Sequence, residues 1–298
     1  MVLVPEVVRN KALACGASDW LATLPDLVAA IEEEWSLAVG RPYQDATEAF
    51  VAAARLEDGT FACLKLVTPT SGHAARNEAT ALRLAGGDGC VRLLREDLNR
   101  GALLLEQLGP SLAELHRPIE ERHRIMASVA RRVWRPAAGC GLPSGMQKAA
   151  RLVEMITASW EELRHPCFER TIDHAVACAE RRMNAYDEER AVLVHGDVQQ
   201  WNTLVAPDGF KLVDPDGLLA EPEYDMGVIM REDPLELLDG EPFDRARSLA
   251  AYCDGELDPV AIWEWGVVER ISTGLLLTRI DLQPCGRHML LVADRLAA

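Results

Sequence analysis

Apolar positions in the first part of the chain follow a helical spacing and then change to short strand-like runs. Residues 5–35 predict two helices divided near residues 16–18, where Ser18 is a suitable N-cap. Pro25 is tolerated only near a helix start, so it allows a break near residues 23–24. Five apolar runs predict strands at residues 36–39, 49–56, 60–67, 91–95 and 102–106. The first part of the chain is therefore predicted to build a sheet.

The pattern becomes helical almost throughout between residues 111 and 190, and again over residues 259–296. Ser111 followed by Glu114 is a capping-box signature and predicts a helix directly after the last strand. The predicted fold class is therefore α+β, with an N-terminal antiparallel sheet and a mostly helical C-terminal part.

The most informative stretch runs from His195 to Asp214. Within it, Pro207-Asp208-Gly209 separates two apolar runs and predicts a β-hairpin whose Asp-Gly turn supplies a positive φ. Because a hairpin returns the chain beside its start, Asn202 and Asp214 become neighbours, one short loop after Asp197. Phosphoryl transfer from a nucleotide requires a carboxylate that accepts a hydroxyl proton, and carboxylate and amide oxygens that hold magnesium. The alternative is an acidic surface turn with an unrelated asparagine.

The order Asp197-x-x-x-x-Asn202, followed by a strand-terminal Asp214, resembles the catalytic and metal-binding loops of the protein-kinase-like fold. With His-Gly before the first aspartate, the stretch resembles the aminoglycoside phosphotransferase family. Further segments carry the likeness: Leu-Val-His-Gly-Asp, Asn-Thr-Leu-Val, Val-Asp-Pro-Asp-Gly, Glu-Pro-Glu-Tyr-Asp, Met-Arg-Glu-Asp-Pro and, upstream, Gly-Gly-Asp-Gly-Cys-Val-Arg-Leu-Leu and Ala-Leu-Leu-Leu-Glu-Gln-Leu. They look most like the streptomycin 6-phosphotransferase and hydroxyurea-resistance kinase subgroup.

This resemblance implies a bilobal protein-kinase-like fold that uses ATP and Mg²⁺. Residues 1–108 would form the nucleotide-binding lobe, and residues 109–298 the helical lobe with the catalytic loop and the acceptor site. By the same resemblance, Asp197 would be the catalytic base and Asn202 and Asp214 the metal ligands. Asp225 would brace the catalytic loop.

Lys65 lies in an otherwise apolar strand, where an unpaired lysine is costly, and Glu78 is the one acid of the helix predicted over residues 72–85. In kinase-like folds such a pair positions the nucleotide phosphates. A solvent-facing strand lysine and an exposed helix glutamate are the alternatives. The resemblance also implies that backbone groups of Glu106 and Leu108 bind the adenine. Residues 41–47, where protein kinases have a glycine-rich loop, contain no glycine.

The charge composition of the chain indicates which classes of molecule it can bind. The formal net charge of −16, with 47 acidic against 31 basic residues, disfavours nucleic acid and anionic membranes. It favours a cationic small molecule, although a merely soluble acidic surface accounts for the charge equally well. No apolar run approaches the ~20 residues of a membrane helix, no export signal is evident, and the eight cysteines are scattered. These features predict a cytoplasmic protein.

The expected activity is phosphorylation of a hydroxyl group on a small, cationic, antibiotic-like molecule. The alternatives are a kinase of a sugar, an amino alcohol or a peptide antibiotic, and a non-catalytic nucleotide-binding scaffold. Gln199, Gln200 and Trp201 depart from the family pattern, as does the region 116–150, which contains Val133-Trp134. Both departures are expected near the acceptor. The acid-rich residues 231–257 are either a pocket for an amine-bearing substrate or solvated surface.

Overall fold

The structure is a computed structural model that describes residues 3–44, 46, 49–69 and 73–297. The chain divides into two compact units, Met1–Gly109 and Pro110–Ala298. Among the described residues, no helix combines the length and the apolar character needed to cross a membrane.

The first unit contains three helices and a five-stranded sheet. Its helices are α1 (Glu6–Ala14), α2 (Ser18–Trp35) and α3 (Ala74–Ala85). Its strands are β1 (Leu37–Pro42), β2 (Ala49–Leu56), β3 (Phe61–Val67), β4 (Leu93–Asp97) and β5 (Ala102–Glu106). The strand order is β1-β2-β3-β5-β4, and every neighbouring pair is antiparallel. The five strands predicted from apolar runs are therefore present, with β1 and β4 shifted toward later residues.

Helix α2 continues through Pro25 without the break that the proline allowed. Its buried residues Leu24, Val28 and Ile31 share one face and pack into the core of the first unit. Burial of this apolar face stabilises the helix, which offsets the hydrogen bond that the proline nitrogen cannot donate.

Strand β3 lies at the centre of the sheet, between β2 and β5. Lys65 is opposite Val51 on one side and Leu103 on the other. A central strand has both edges paired, so the position of Lys65 is fixed by the ladder on each side.

The second unit is mostly helical. Its helices are α4 (Ile119–Val133), α5 (Gly145–Glu162), α6 (Glu169–Asn184), α7 (Glu223–Met230), α8 (Phe243–Ala251), α9 (Pro259–Arg279) and α10 (Cys285–Leu296). Its strands are β6 (Val192–Val194), β7 (Thr203–Ala206), β8 (Gly209–Leu212) and β9 (Leu218–Ala220). Strand β6 pairs with β9, and β7 pairs with β8.

Only half of the capping box predicted at Ser111 forms, and the helix after it does not extend. The amide of Glu114 donates to the Ser111 carbonyl at 3.1 Å and not to the Ser111 hydroxyl. Glu114 accepts hydrogen bonds from the backbone N–H and the hydroxyl of Ser111, both at 2.7 Å. Only a 3₁₀ turn, Ala113–Leu115, follows before α4. The amide of Leu112 instead donates to the carbonyl of Thr203 at 2.7 Å. This segment is thus held against β7 and not by its own helix.

The predicted hairpin is formed by β7 and β8, with Thr203 opposite Leu212 and Ala206 opposite Gly209. Gly209 has a φ of 116°, the left-handed conformation that the Asp-Gly turn was predicted to supply. At the open end, the amide of Val213 donates to the carbonyl of Asn202 at 2.9 Å. The hairpin therefore brings Asn202 beside the residues that follow β8.

Helices α7 and α9 pack closely against each other. A Cβ added to Gly227 of α7 would lie 2.3 Å from Cβ of Trp265 in α9, and one added to Gly266 would lie 2.9 Å from Cγ of Met230. Side chains are excluded at both glycines, so the two backbones form one rigid support.

Candidate active site

The loop between β6 and β7, residues 195–202, presents Asp197 and is called the HGD loop below. Oδ2 of Asp197 accepts hydrogen bonds from Nε2 of Gln199 at 2.7 Å and from Nδ2 of Asn202 at 2.8 Å. Oδ1 accepts from Nη2 of Arg231, with which Asp197 forms an ion pair. About a quarter of the side chain (26%) is exposed. The carboxylate is therefore fixed on both oxygens and remains partly accessible.

The backbone of the HGD loop is braced by a buried carboxylate, as the resemblance implied. Asp225 of α7 accepts from the amide of His195 at 3.0 Å and from the amide of Gly196 at 2.8 Å. The indole of Trp134 donates to the same carboxylate at 2.9 Å. Burial raises the pKa of Asp225, although these three donors favour its charged form.

The ring of His195 connects the loop to the segment after β8. Its Nε2 lies 3.0 Å from the carbonyl oxygen of Val213, and its Nδ1 lies 3.2 Å from the amide nitrogen of Asp197. A carbonyl can only accept and an amide can only donate, so the imidazole carries its proton on Nε2. His195 thus acts as a buried spacer and does not face the exposed side of Asp197.

Gly196 has a φ of 91°, and a Cβ added to it would lie 2.8 Å from Cβ of Asp216. The backbone conformation and the close approach both require glycine at this position. This is the physical reason for the His-Gly-Asp order.

Asn202 and Asp214 carry the two kinds of oxygen atom, amide and carboxylate, that magnesium sites use. Nδ2 of Asn202 donates to the backbone carbonyl and to Oδ2 of Asp197, which turns its Oδ1 away from Asp197. Asp214 is exposed, has a φ of 59°, and follows Val213, whose amide binds the carbonyl of Asn202. An amide oxygen and a carboxylate are ligands that Mg²⁺ prefers when phosphate oxygens and water complete its shell. The donor set therefore fits the ion.

Two opposing effects act on the ionisation of Asp197. Burial raises its pKa, whereas the Arg231 guanidinium and the Gln199 amide lower it. The lowering effects prevail and hold the pKa of Asp197 below its usual value. The group is consequently a carboxylate, ready to accept a proton, at neutral pH.

Lys65 and Glu78 form a buried ion pair in the first unit. Nζ of Lys65 lies 2.7 Å from both carboxylate oxygens of Glu78, and 7% of each side chain is exposed. Neither the solvent-facing lysine nor the exposed helix glutamate, which the sequence left open, is present. The ion pair holds the ammonium of Lys65 at one position beside Glu78.

Glu106 and Leu108 lie where β5 ends. The amide of Glu106 donates to the carbonyl of Arg92 at 2.9 Å, and its side chain accepts from the amide of Arg92 at 2.8 Å. No hydrogen bond among the described residues uses the amide of Leu108. Beside them, Gln107 donates to the hydroxyl of Tyr43 at 3.3 Å. Tyr43 belongs to the glycine-free loop, of which residues 45 and 47 lie outside the described residues.

Three contacts around the HGD loop were not predicted from the sequence. Trp134 binds Asp225, Arg231 binds Asp197, and Nη1 of Arg122 donates to Oε1 of Gln200 at 2.7 Å. Trp134 and Gln200, expected near the acceptor, are thus held by contacts within the protein. By contrast, Trp201 has 58% of its surface exposed.

Three acids of the acid-rich segment 231–257 pair with arginines. Asp233 pairs with Arg122 at 2.9 Å, and Asp244 with Arg247. Asp254 pairs with Arg131. These contacts favour the interpretation of the segment as structural and solvated surface over that of an open amine pocket.

Comparison with known proteins identifies the family. The family model described as "Aminoglycoside/hydroxyurea antibiotic resistance kinase" matches residues 35–267. A streptomycin 6-kinase of Streptomyces griseus is 30% identical over 70% of this chain and 66% of its own length, slightly under two thirds. A streptomycin 6-kinase of Streptomyces glaucescens is 30% identical over 89% of this chain and 91% of its own length.

The fold is shared with a solved aminoglycoside phosphotransferase, a thermostable mutant in a ternary complex with ADP and hygromycin B. That structure superposes with a TM-score of 0.64 at 12% identity, covering 91% of this chain and 97% of its own. The predicted protein-kinase-like fold, with an antiparallel sheet first and a mostly helical part after it, is confirmed. The chain therefore belongs to the aminoglycoside/hydroxyurea antibiotic resistance kinase family.

Proposed function

We propose that the protein is an ATP-dependent phosphotransferase that moves the γ-phosphoryl group to a hydroxyl of a small, antibiotic-like molecule. One observation carries the proposal: the HGD loop presents a partly exposed Asp197 carboxylate directly beside Asn202, one hairpin away from Asp214. Family membership and the two streptomycin 6-kinases support the same activity. The ADP in the structural relative supports the use of a nucleotide.

In this mechanism, the acceptor hydroxyl approaches the exposed side of Asp197. As the hydroxyl oxygen attacks the γ-phosphorus, its proton passes to the carboxylate, the bond from phosphorus to the bridging oxygen breaks, and ADP leaves. Gln199, Asn202 and Arg231 hold the carboxylate in one orientation. Asn202 and Asp214 would hold Mg²⁺, which supplies positive charge to the phosphates.

The unit Met1–Gly109 would bind the nucleotide. Lys65, fixed by Glu78, would contact the α- and β-phosphates. The backbone carbonyl of Glu106 and the backbone amide of Leu108 would bind the adenine edge. That amide has no hydrogen-bond partner among the described residues, which leaves it available as a donor.

The proposed acceptor is a cationic aminoglycoside of the streptomycin type. Two features support this class: the names of the relatives and the formal net charge of −16, which attracts cations over a Debye length of about 8 Å. A cytoplasmic location follows from the ATP requirement, and eight free cysteines are compatible with it.

The test is a phosphorylation screen with labelled ATP and Mg²⁺ over aminoglycosides, peptide antibiotics, hydroxyurea, simple sugars and amino alcohols. We expect turnover of an aminoglycoside, and we expect Asp197→Ala to lower it by about 10²–10⁴-fold with little change in ATP affinity. If only a sugar or an amino alcohol were phosphorylated, that compound class would be the acceptor and the aminoglycoside assignment would be wrong. Absence of Mg²⁺-dependent turnover with every compound would overturn the proposal.

A further inference from the structure

Arg231 follows α7 directly and joins two carboxylates from different parts of the second unit. Its Nη2 donates to Oδ1 of Asp197 in the HGD loop, and its Nη1 donates to Oε2 of Glu269 in α9 at 3.0 Å. The same Nη1 lies 3.2 Å from the hydroxyl of Thr273. Only 9% of the side chain is exposed. The guanidinium is therefore a buried bridge with one end on the proposed base.

The far end of this bridge is itself fixed. Glu269 also accepts a hydrogen bond from the hydroxyl of Tyr224 in α7, and both residues are buried. Burial and the neighbouring Glu269 raise the pKa of Tyr224, so its hydroxyl stays protonated and keeps donating. Because α7 and α9 pack closely at Gly227 and Gly266, Glu269 cannot shift independently of α7.

The backbone on either side of Arg231 is held by two further arginines. Nη2 of the buried Arg270 donates to the carbonyl of Met230 at 2.8 Å. Nη1 of Arg245 donates to the carbonyl of Glu232 at 2.6 Å. These cations take up carbonyls at the end of α7, which have no partner within the helix. The position of Arg231 is thus determined by both its side chain and its main chain.

The contacts of Asp197 divide between its two oxygens. Oδ2 is bound by Gln199 and Asn202, which are neutral and belong to the HGD loop itself. Oδ1 is bound by Arg231, which is charged and belongs to a different element. Without Arg231, the HGD loop would supply no hydrogen bond to Oδ1 of Asp197. The partly buried carboxylate would also lack its nearest positive charge.

We propose that Arg231 is a positioning residue for phosphoryl transfer, which orients Asp197 and keeps a fixed positive charge beside the carboxylate that receives the acceptor's proton. The inference rests on the proposed function. Arg231 lies outside the HGD loop and supplies a positive charge, whereas the loop itself supplies only neutral hydrogen-bond donors to Asp197.

The first experiment compares Arg231→Gln with Arg231→Lys, using an acceptor that the wild-type protein phosphorylates. We expect Arg231→Gln to lower kcat by up to about 10²-fold, with little change in the KM for ATP. Arg231→Lys keeps the charge but not the planar guanidinium that reaches two carboxylates, so kcat should recover only in part. Arg247→Gln, which removes an exposed arginine paired with Asp244, should match the wild type.

A kcat of Arg231→Gln equal to the wild-type value, or a fall in kcat that Arg231→Lys does not recover at all, would overturn the inference. The single variant leaves Glu269 buried without its cation, so the double variant Arg231→Gln with Glu269→Gln provides a form without that unpaired charge. It should melt cooperatively and show the same fall in kcat at an unchanged KM for ATP.

A second measurement needs no acceptor. Crystal structures of the wild type, Arg231→Gln and Arg231→Lys show how the Asp197 carboxylate is oriented. We expect Oδ1 to turn away from its wild-type direction in Arg231→Gln and to keep that direction in Arg231→Lys, and an unchanged carboxylate in Arg231→Gln contradicts the inference. If the wild-type protein phosphorylates no compound in the screen, the proposed function fails, whereas these structures still decide whether Arg231 orients Asp197.

Discussion

Nε1 of Trp134 donates to Oδ2 of Asp225 at 2.9 Å, and through this bond the end of α4 supports the HGD loop. Asp225 uses its other hydrogen bonds on the amides of His195 and Gly196, immediately before Asp197. The indole therefore completes a set of three N–H donors around one buried carboxylate. If one of the three donors is removed, the buried carboxylate is less well stabilised, because part of the cost of removing it from water is no longer offset.

Replacing Trp134 with phenylalanine should weaken both stability and activity. The ring still packs against the core, but Asp225 loses its side-chain donor, so the free energy of unfolding should fall by about 1–3 kcal/mol. The HGD loop becomes less well fixed, and kcat should fall while the KM for ATP changes little. Urea unfolding and steady-state kinetics measure the two effects.

Trp263→Phe is the matched control, because Trp263 packs against the same core without contacting Asp225. It should lose packing but keep kcat. Equal kcat values for Trp134→Phe and Trp263→Phe would show that the Trp134 hydrogen bond is irrelevant to the loop.

Local signals account for what the sequence predicted. The Asp-Gly turn places Asn202 beside the segment that carries Asp214, because a two-strand hairpin needs only a turn and two apolar runs. The buried position of Lys65 could be inferred because a lysine within an apolar strand requires a partner, and Glu78 was the one acid in the next helix. The hairpin could be predicted because its residues are close in sequence. The ion pair could be predicted because the next helix offers one acidic residue.

The contacts that were missed act across long sequence separations. Arg231 lies 34 residues from Asp197, and Trp134 lies 91 residues from Asp225. Many arginines could have reached Asp197, and only the packing of α7 on α9 selects this one. Pro25 failed as a break signal for the same reason, since tertiary burial of the α2 face overrode a local preference.

Lys65 and Glu78 should have separable effects on stability and on ATP binding. Lys65→Met leaves Glu78 as an unpaired buried charge, so it should cost roughly 3–5 kcal/mol of stability and also raise the KM for ATP. The double variant Lys65→Met with Glu78→Leu removes both charges and should recover stability, because apolar replacement of a buried pair is often neutral.

The double variant should not recover ATP affinity, since the phosphate contact is still missing. Thermal melting and calorimetric ATP titration measure the two properties. Recovery of ATP affinity together with stability would show that Lys65 is only structural.

Asp233 should make stability sensitive to acid. Burial raises its pKa, but His123 and Arg122 lower it more, so the folded-state pKa lies below the ordinary value of 3.8. The unfolded chain therefore binds the proton first, and the stabilisation is fully present above about pH 3.8 and is lost as pH falls through the folded-state pKa. Asp233→Asn removes this contribution.

Urea unfolding of the wild type and of Asp233→Asn, from pH 7 downward, tests this sign. The difference in free energy should be constant near neutral pH and shrink on acidification. Asp239→Asn, at an exposed position, should show no such trend. A wild-type advantage over Asp233→Asn that grows as pH falls would mean that the pKa of Asp233 is raised instead.

Asp214→Asn should separate metal binding from backbone conformation. Asp214 has a φ of 59°, a left-handed conformation that asparagine adopts as readily as aspartate, so the variant should keep the loop geometry. It loses the negative charge that attracts Mg²⁺, and the metal is expected to contribute several kcal/mol of charge stabilisation. Turnover at fixed ATP should therefore fall by orders of magnitude and require more Mg²⁺ for half-maximal rate.

Asp216→Asn is the control within the same loop. Asp216 is exposed and forms a salt bridge with Lys148 at 2.8 Å, so its replacement should leave the Mg²⁺ requirement unchanged. Mg²⁺ titrations of the initial rate compare the three proteins. If Asp214→Asn followed the wild-type titration while Asp216→Asn shifted it, the metal-binding carboxylate would be Asp216, and the role of Asp214 would be limited to the geometry of the hairpin end.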